Sequence, residues 1–444
     1  MADDRTAATE LDMSILMLEL LLHWFMATCF RYNRNQLDLD VLLYLPVRRV
    51  ENYDPSVLSH VLRESIPLLS TRNDLQKLGR MGAYHEHQVI FVVRQKNIYE
   101  LAKKLLDASN PEDRNFGRHL SSEEVARLTS NPESRNQVIS NLNAIGATVI
   151  SETLNGEYIT ANAPIAVWER LFRTKFFTFR QTLQNGDVLD IVRAEEYWIP
   201  TNLDMHVESV FRTIEFPYDH IDGVTLSNVP IDGCDKGRCR CNPERALDSS
   251  NLTHAHGSNS STQGLLLFDR HCTGTSDIWH NLSAQNQSGE AAQTKSIGRS
   301  SCHPYDSDDV LACRKSAYDL QYLMSSSPGS PTTYWSPDHS FTDWLVDIAN
   351  MPSPPLVLTI GQAVDERSVT DSVHRAFTTQ AIKLSAMGVT IVASSAVDSI
   401  CATQLEAEAS LSDVRCQSRP TFPSSNPFVT SVGIAPVSFD CFLF

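Results

Sequence analysis

Ten cysteines are unevenly placed: Cys29 stands alone in the first 233 residues, and the other nine lie between Cys234 and Cys441. The same half carries four N-x-[ST] acceptors, at Asn251, Asn259, Asn281 and Asn286. Thiols and sequons clustered together suit an oxidising lumen, where disulfides persist and loop asparagines are glycosylated. Cys234, Cys239 and Cys241 stand near His254 and His256, but their C-x4-C-x-C spacing fits no common zinc finger, and disulfides or free thiols suit it better. Cys401 and Cys416 bracket a short loop as a candidate pair. His87, His119 and His206 have an ordinary pKa, about 6.5, suited to sensing acid, although plain surface histidines read the same way. Lys315 and Asp319 are spaced i, i+4, which places an ammonium and a carboxylate one helical turn apart.

These groups belong to a chain with the composition of a folded protein. Its 444 residues are 42 % hydrophobic and 20 % charged, and at about 150 residues per domain they predict two to three domains. Against 37 Lys and Arg stand 53 Asp and Glu, a net charge of −16. Such a chain has no summed field to attract a phosphate backbone, so nucleic acid is not an expected partner. Residues 13–30 are apolar enough for a signal or anchor, yet Glu19 and His23 interrupt them, and the leader sets Arg5 against Asp3, Asp4, Glu10 and Asp12. A signal needs a positive leader, so this is a poor signal peptide. Arg31 and Arg34 behind the run would orient an inserted helix with its N-terminus outside, so neither a cleavable signal nor a membrane span is expected; a buried helix or a misassigned first exon fits better.

Residues 1–87 carry no motif of known role. From His87 the pattern sharpens. VIFVV (89–93) predicts a strand, Ile98–Leu106 a helix, and Ser121-Ser122-Glu123-Glu124 the capped start of another. A helix over 136–145 closes at Gly146; strands over 147–151 and 157–160 flank Asn155-Gly156; a helix over 164–172 and a strand over 176–180 follow. This order predicts an α+β module of ferredoxin-like type over 88–217. Residues 218–309, rich in Ser, Asn and Gly, read as a polar linker or insertion. Beyond 310, helices near 316–325, 341–350 and 369–387 alternate with strands over 356–360 and 389–394, which predicts a parallel sheet covered on both faces.

The segments HQVIFVVRQKNIYEL, LLDASNPEDRNFGRHLSSEEVARL and EEYWIPTNLDMHVESVFRTIEFP resemble the activation prodomain of the sedolisins, the serine-carboxyl peptidases. Asp319-Leu320-Gln321-Tyr322, PPLVLTIGQ (354–362), KLSAMGVTIVASSAVDS (383–399) and RPTFPSSNPFVTSVG (419–433) resemble about the first half of the same family's subtilisin-like α/β catalytic domain, taken here as residues 310–444. The resemblance implies a zymogen whose prodomain inhibits it intramolecularly, with serine-type proteolysis of peptides or proteins at acid pH, secreted or in a lysosome-like or vacuole-like lumen.

The family mechanism uses a serine nucleophile, a glutamate base four residues before an aspartate on one helix face, and an aspartate at the oxyanion. By resemblance, Asp319 takes the helix aspartate's place and Asp398 the oxyanion aspartate's. Lys315 stands where the family has glutamate, and an ammonium cannot accept the serine proton in acid. Near Asp398 the run Ser394-Ser395-Ala396-Val397-Asp398 is one residue longer than the family's and lacks its glycine. The family's G-T-S-x-x-x-P nucleophile motif does not occur; Gly274-Thr275-Ser276 lacks its proline, with His280 at that position. The expectation is therefore a peptidase domain truncated before its nucleophile, with no visible cofactor, the family's calcium site falling beyond Phe444. The alternative is a catalytically inactive homologue whose prodomain binds, inhibits or chaperones a related peptidase.

Overall fold

A computed structural model describes residues 59–66, 74–182, 188–218, 234–235, 238–239, 262–266, 294–298, 319, 323–324, 327, 330–336, 340–361, 363–395 and 420–433. All of them belong to one unit, Glu51–Phe444. In chain order its N-terminal part contains β1 (His60–Ser65), β2 (Leu75–Arg80), β3 (Glu86–Val93), α1 (Ile98–Ser109), α2 (Ser122–Thr129), α3 (Pro132–Ala144), β4 (Thr148–Glu152), β5 (Tyr158–Pro164), α4 (Ile165–Leu171), β6 (Phe176–Thr182), β7 (Val188–Ala194), β8 (Glu196–Pro200), α5 (Thr201–Asp204) and β9 (Val207–Phe211).

Local signals account for most of these boundaries. A reciprocal capping box starts α2: Glu124 N donates to Ser121 Oγ at 3.2 Å and Ser121 N to Glu124 Oε2 at 2.8 Å. Asn131 caps α3, with Pro132 in its first turn. Gly146 ends that helix region at φ 80°, a conformation that penalises any side chain.

The strands form a four-stranded antiparallel sheet in the order β4-β5-β3-β9, a three-stranded sheet β2-β6-β7, and the pair β1-β8. The module is α+β, as expected, but it starts earlier than residue 88. β1 and β2 come from the stretch that shows no motif, and each is recruited by a partner far along the chain, β8 and β6. Such long-range pairing leaves no local signature.

The second part contains β10 (Cys234–Asp235), β11 (Arg238–Cys239), β12 (Gln263–Leu266), β13 (Thr294–Gly298), β14 (Thr332–Ser336), α6 (Phe341–Ala349), β15 (Val357–Ile360), β16 (Val364–Asp365), α7 (Asp371–Ala386), β17 (Thr390–Ser394), β18 (Thr421–Phe422) and β19 (Thr430–Val432). Six of these strands form one sheet, all parallel, in the order β13-β14-β12-β15-β17-β19. The α/β reading of this region holds. The linker reading of 218–309 needs correction, because β12 and β13 are sheet strands, and β12 lies near the sheet's centre with all four residues buried. A short run covered on both faces shows no alternation, so nothing in 263–266 distinguishes it from a loop with a few apolar residues.

The two parts share a core. In β3, Val89, Phe91 and Val93 point into a cluster with Trp168, Phe172 and Tyr197, wholly within the N-terminal part. Ile90 and Val92, on the opposite face, join Tyr158 and Phe211 in a cluster with Phe341, Trp344, Phe377 and Phe422. VIFVV is thus buried on both faces, which explains its unbroken apolar run.

In the parallel sheet, Trp335 and Leu358 close over Gly264, where an added Cβ would lie 2.7 Å from Trp335 Cζ3 and 2.8 Å from Leu358 Cδ2. Gly264→Ala is expected to lower stability by about 1–3 kcal/mol, read as a shifted urea midpoint at unchanged slope.

Candidate activation interface and catalytic edge

Helix α7 is where the two parts meet. Its apolar face, with Val373, Ala376, Phe377, Ala381 and Leu384, is buried in the shared core. Its polar positions meet the N-terminal part along its whole length. At its start Thr370, the N-cap residue, makes no side-chain cap, and Ser372 N donates instead to Glu64 Oε1 of β1 at 3.0 Å. One turn on, Arg375 pairs with Glu208 of β9 at 3.0 Å, and Glu208 also faces Arg94 at 3.3 Å. In the last turn Lys383 pairs with Glu157, in the turn before β5, with the side chains 5 % and 2 % exposed. Leu120 N then donates to Ala386 O at 2.8 Å, and the His119 ring lies against Gly388.

Helix α6 is held similarly. Arg212 donates to Asp343 Oδ1 at 2.7 Å, and Leu154 N donates to Asn350 Oδ1 at 3.1 Å. A cleft of about 270 Å³ lies at this seam, lined by Arg193, Arg212, Glu215, Ser340, Thr342 and Asp343.

Burial sets the titration of this region. Glu215 accepts from Thr213 N and Ile214 N, and burial, with the Glu64 carboxylate adding to it, pushes its pKa up to about 7. Burial also raises Glu64, and it lifts Asp347 on α6 to about 6 with help from Asp343. His87 goes the other way: burial, then the nearby Arg193 guanidinium, hold its pKa down to about 4. Its Nε2 lies 2.9 Å from Arg212 O, and its ring contacts Phe176. Burial at this site favours the neutral ring of His87 well below pH 6.5. His119 is exposed, and His206 Nδ1 lies 3.0 Å from Ser134 Oγ.

The second feature is the carboxyl edge of the parallel sheet, where open α/β sheets place their ligands. Here Ser395 N donates to Val432 O at 2.9 Å and Thr421 Oγ1 donates to Ser395 O at 3.0 Å, tying the ends of β17 and β19 to β18. The β17 strand ends at Ser394, so Asp398 follows that edge by four residues, although it lies itself outside the described residues, as do Lys315, Gly274-Thr275-Ser276, Cys401, Cys416 and the four sequon asparagines. Asp319 is a half-buried helical residue. The described structure therefore brings none of the sequence-nominated catalytic residues together. Cys234 and Cys239 are register partners in the antiparallel β10-β11 pair. Among the described residues no group of three or more His, Cys, Asp or Glu could hold a metal ion, and no helix is long and apolar enough to cross a membrane.

Residues 73–216 match the pro-kumamolisin activation domain. The chain is 25 % identical over 372 residues to human tripeptidyl-peptidase 1, a match covering 80 % of this chain and 62 % of that protein. The chain is similar to the sedolisins along these lengths. Physarolisin of Physarum polycephalum is 25 % identical over 399 residues (83 % of this chain, 63 % of that protein), and the probable tripeptidyl-peptidase SED3 of Trichophyton verrucosum 25 % over 375 (77 % and 61 %). The chain spans about three fifths of the length of these curated sedolisin relatives. The activation-domain match begins upstream of residue 88, at 73, so β2 belongs to it, while β1 lies before it.

The glutamates that hold α7 have no sequence signal, since each is set by tertiary contact. Two groups make stability depend on pH in opposite senses. Because the folded pKa of His87 lies below its ordinary 6.5, the stability it contributes is present above pH 6.5 and is lost as pH falls toward about 4. Because that of Glu215 lies above its ordinary 4.5, its contribution is present below pH 4.5 and is lost as pH rises through about 7. His87→Phe should remove up to about 3 kcal/mol of acid destabilisation, and Glu215→Gln should gain stability at pH 8 but not at pH 4. Chemical denaturation at several pH values checks both signs.

Proposed function

We propose that this chain is a serine-type peptidase zymogen of the sedolisin type, tripeptidyl-peptidase-like, with the activation domain as its intramolecular inhibitor and a peptidase domain of subtilisin-like fold acting on peptides or proteins in an acidic lumen. The observation that carries the reading is an activation-domain match over residues 73–216 whose residues share a core and a buried ion pair with an all-parallel sheet domain. Tripeptidyl-peptidase relatives along the chain support it. In this reading Asp319 orients the proton acceptor, Asp398 faces the developing oxyanion, and the sequons and cysteines of the second half serve a secreted or lysosome-like glycoprotein.

A second reading is favoured by one residue. Lys315 stands at the glutamate position, and an ammonium there supplies no general base. The chain would then be an inactive homologue whose activation domain binds, inhibits or chaperones a related peptidase.

Sequencing the transcript through codon 315 and past codon 444, then incubating the encoded protein at low pH and mapping new N-termini, separates the two. The zymogen reading expects glutamate at 315, a G-T-S-x-x-x-P motif downstream, and acid-dependent cleavage within 218–309. A genuine Lys315 with a precursor that stays intact in acid and lowers the activity of an added sedolisin overturns it in favour of the second.

A further inference from the structure

Three glutamates of the N-terminal part meet α7 at three heights, and they come from three different places: Glu64 from the β1-β8 pair, Glu208 from the four-stranded sheet, and Glu157 from the turn before β5. Their targets are the second, fifth and thirteenth residues of the helix, Ser372, Arg375 and Lys383, spread over about 16 Å at 1.5 Å per residue. We infer that the activation domain recognises its peptidase domain by reading α7: an N-terminus that lacks its own side-chain cap, a cation three residues on, and a second cation eight residues beyond that. The partner that fits this surface, within the chain or on another, is a helix with that charge spacing. The inference deepens the zymogen reading and rests on it only in treating the activation domain as a detachable clasp.

The physical argument lies in the cost of a mismatch. Thr153 Oγ1 accepts from Glu157 N at 3.0 Å and donates to Glu157 Oε2 at 3.4 Å, so the carboxylate, 2 % exposed, is anchored in its own turn. A helix with an apolar or acidic residue at the Lys383 position would leave that carboxylate buried without its partner, which is far costlier than losing an exposed pair. Glu64 acts at the other end: its carboxylate satisfies an amide that Thr370 leaves uncapped, because Thr370 Oγ1 lies 2.9 Å from Ser372 Oγ instead. The half-buried Glu208–Arg375 pair sets the register between the two ends. The strand that carries Glu64 lies upstream of the matched activation domain, so it extends the recognising surface beyond that domain.

The test is made on the full chain, with a site-specific protease sequence inserted between residues 219 and 233 and cut at neutral pH. The two pieces are then followed by size exclusion on dilution. The unsubstituted pieces should stay together; Glu157→Lys or Lys383→Glu alone should weaken association by roughly 30-fold or more, and the double exchange should recover at least about tenfold of that loss. Single changes without effect, or a double exchange as weak as either single, overturn the inference. Should a single exchange fail to give soluble protein, the half-buried pair decides: Glu208→Gln and Arg375→Gln together should cost less than the sum of the two single losses, and additive losses overturn it. Glu64→Ala should also speed hydrogen exchange in the first turn of α7 and leave its last turn unchanged; uniform acceleration overturns the capping part. None of these readouts uses peptidase activity of the chain itself, so they stand or fall separately from the peptidase reading.

Discussion

The strand Glu86–Val93 has to satisfy two cores at once. Successive side chains of a strand point to opposite faces, so Val89, Phe91 and Val93 build the interior of the activation domain while Ile90 and Val92 supply part of the surface on which α6 and α7 pack. Over residues 89–93 neither face meets water. Everything else at the seam is arranged around this: Tyr158 and Phe211 extend the second face, and Phe341, Trp344, Phe377 and Phe422 answer it from the parallel-sheet domain. A contact of this kind is continuous with a domain interior, unlike the polar surfaces by which independent domains touch. Separating the domains would expose both a strand face and a helix face.

Charge gives that apolar seam its specificity. Hydrophobic burial is non-directional and would tolerate many orientations. Glutamates at three heights along one helix fix both direction and register, and the buried Glu157–Lys383 pair penalises any misaligned partner. The titrating groups sit nearby but play a different part. Glu64, Glu215 and Asp347 are shifted toward the protonated state by burial, so acid relieves a penalty within the fold, while His87 resists protonation. The activation domain thus carries opposing responses to acid.

Much of the activation domain was legible in the sequence, because its signals are local. The capping box at Ser121, the glycine after α3, the Asn155-Gly156 turn and the helical spacing of Ile98, Leu101 and Leu105 each fix a boundary within one or two turns of chain. The helices over 341–349 and 371–386 and the strands over 357–360 and 390–394 were legible for the same reason. The motifs resembling sedolisins agree with the match over 73–216 and with the tripeptidyl-peptidase relatives.

Pairing between distant segments decided the rest. β1 and β2 have no distinctive pattern and become strands only because β8 and β6 present open edges to them. β12 looks like part of a polar linker and becomes a central strand because β14 and β15 flank it. The apolar run at 89–93 announced a buried strand, but that its two faces serve different cores depends on what packs against each. The same holds for charge: Glu64 and Ser372 are 308 residues apart and Glu157 and Lys383 are 226 apart. A sequence fixes backbone preferences over a few residues, where steric and capping terms act; which carboxylate meets which cation is settled only when the chain closes on itself and water is removed from between them.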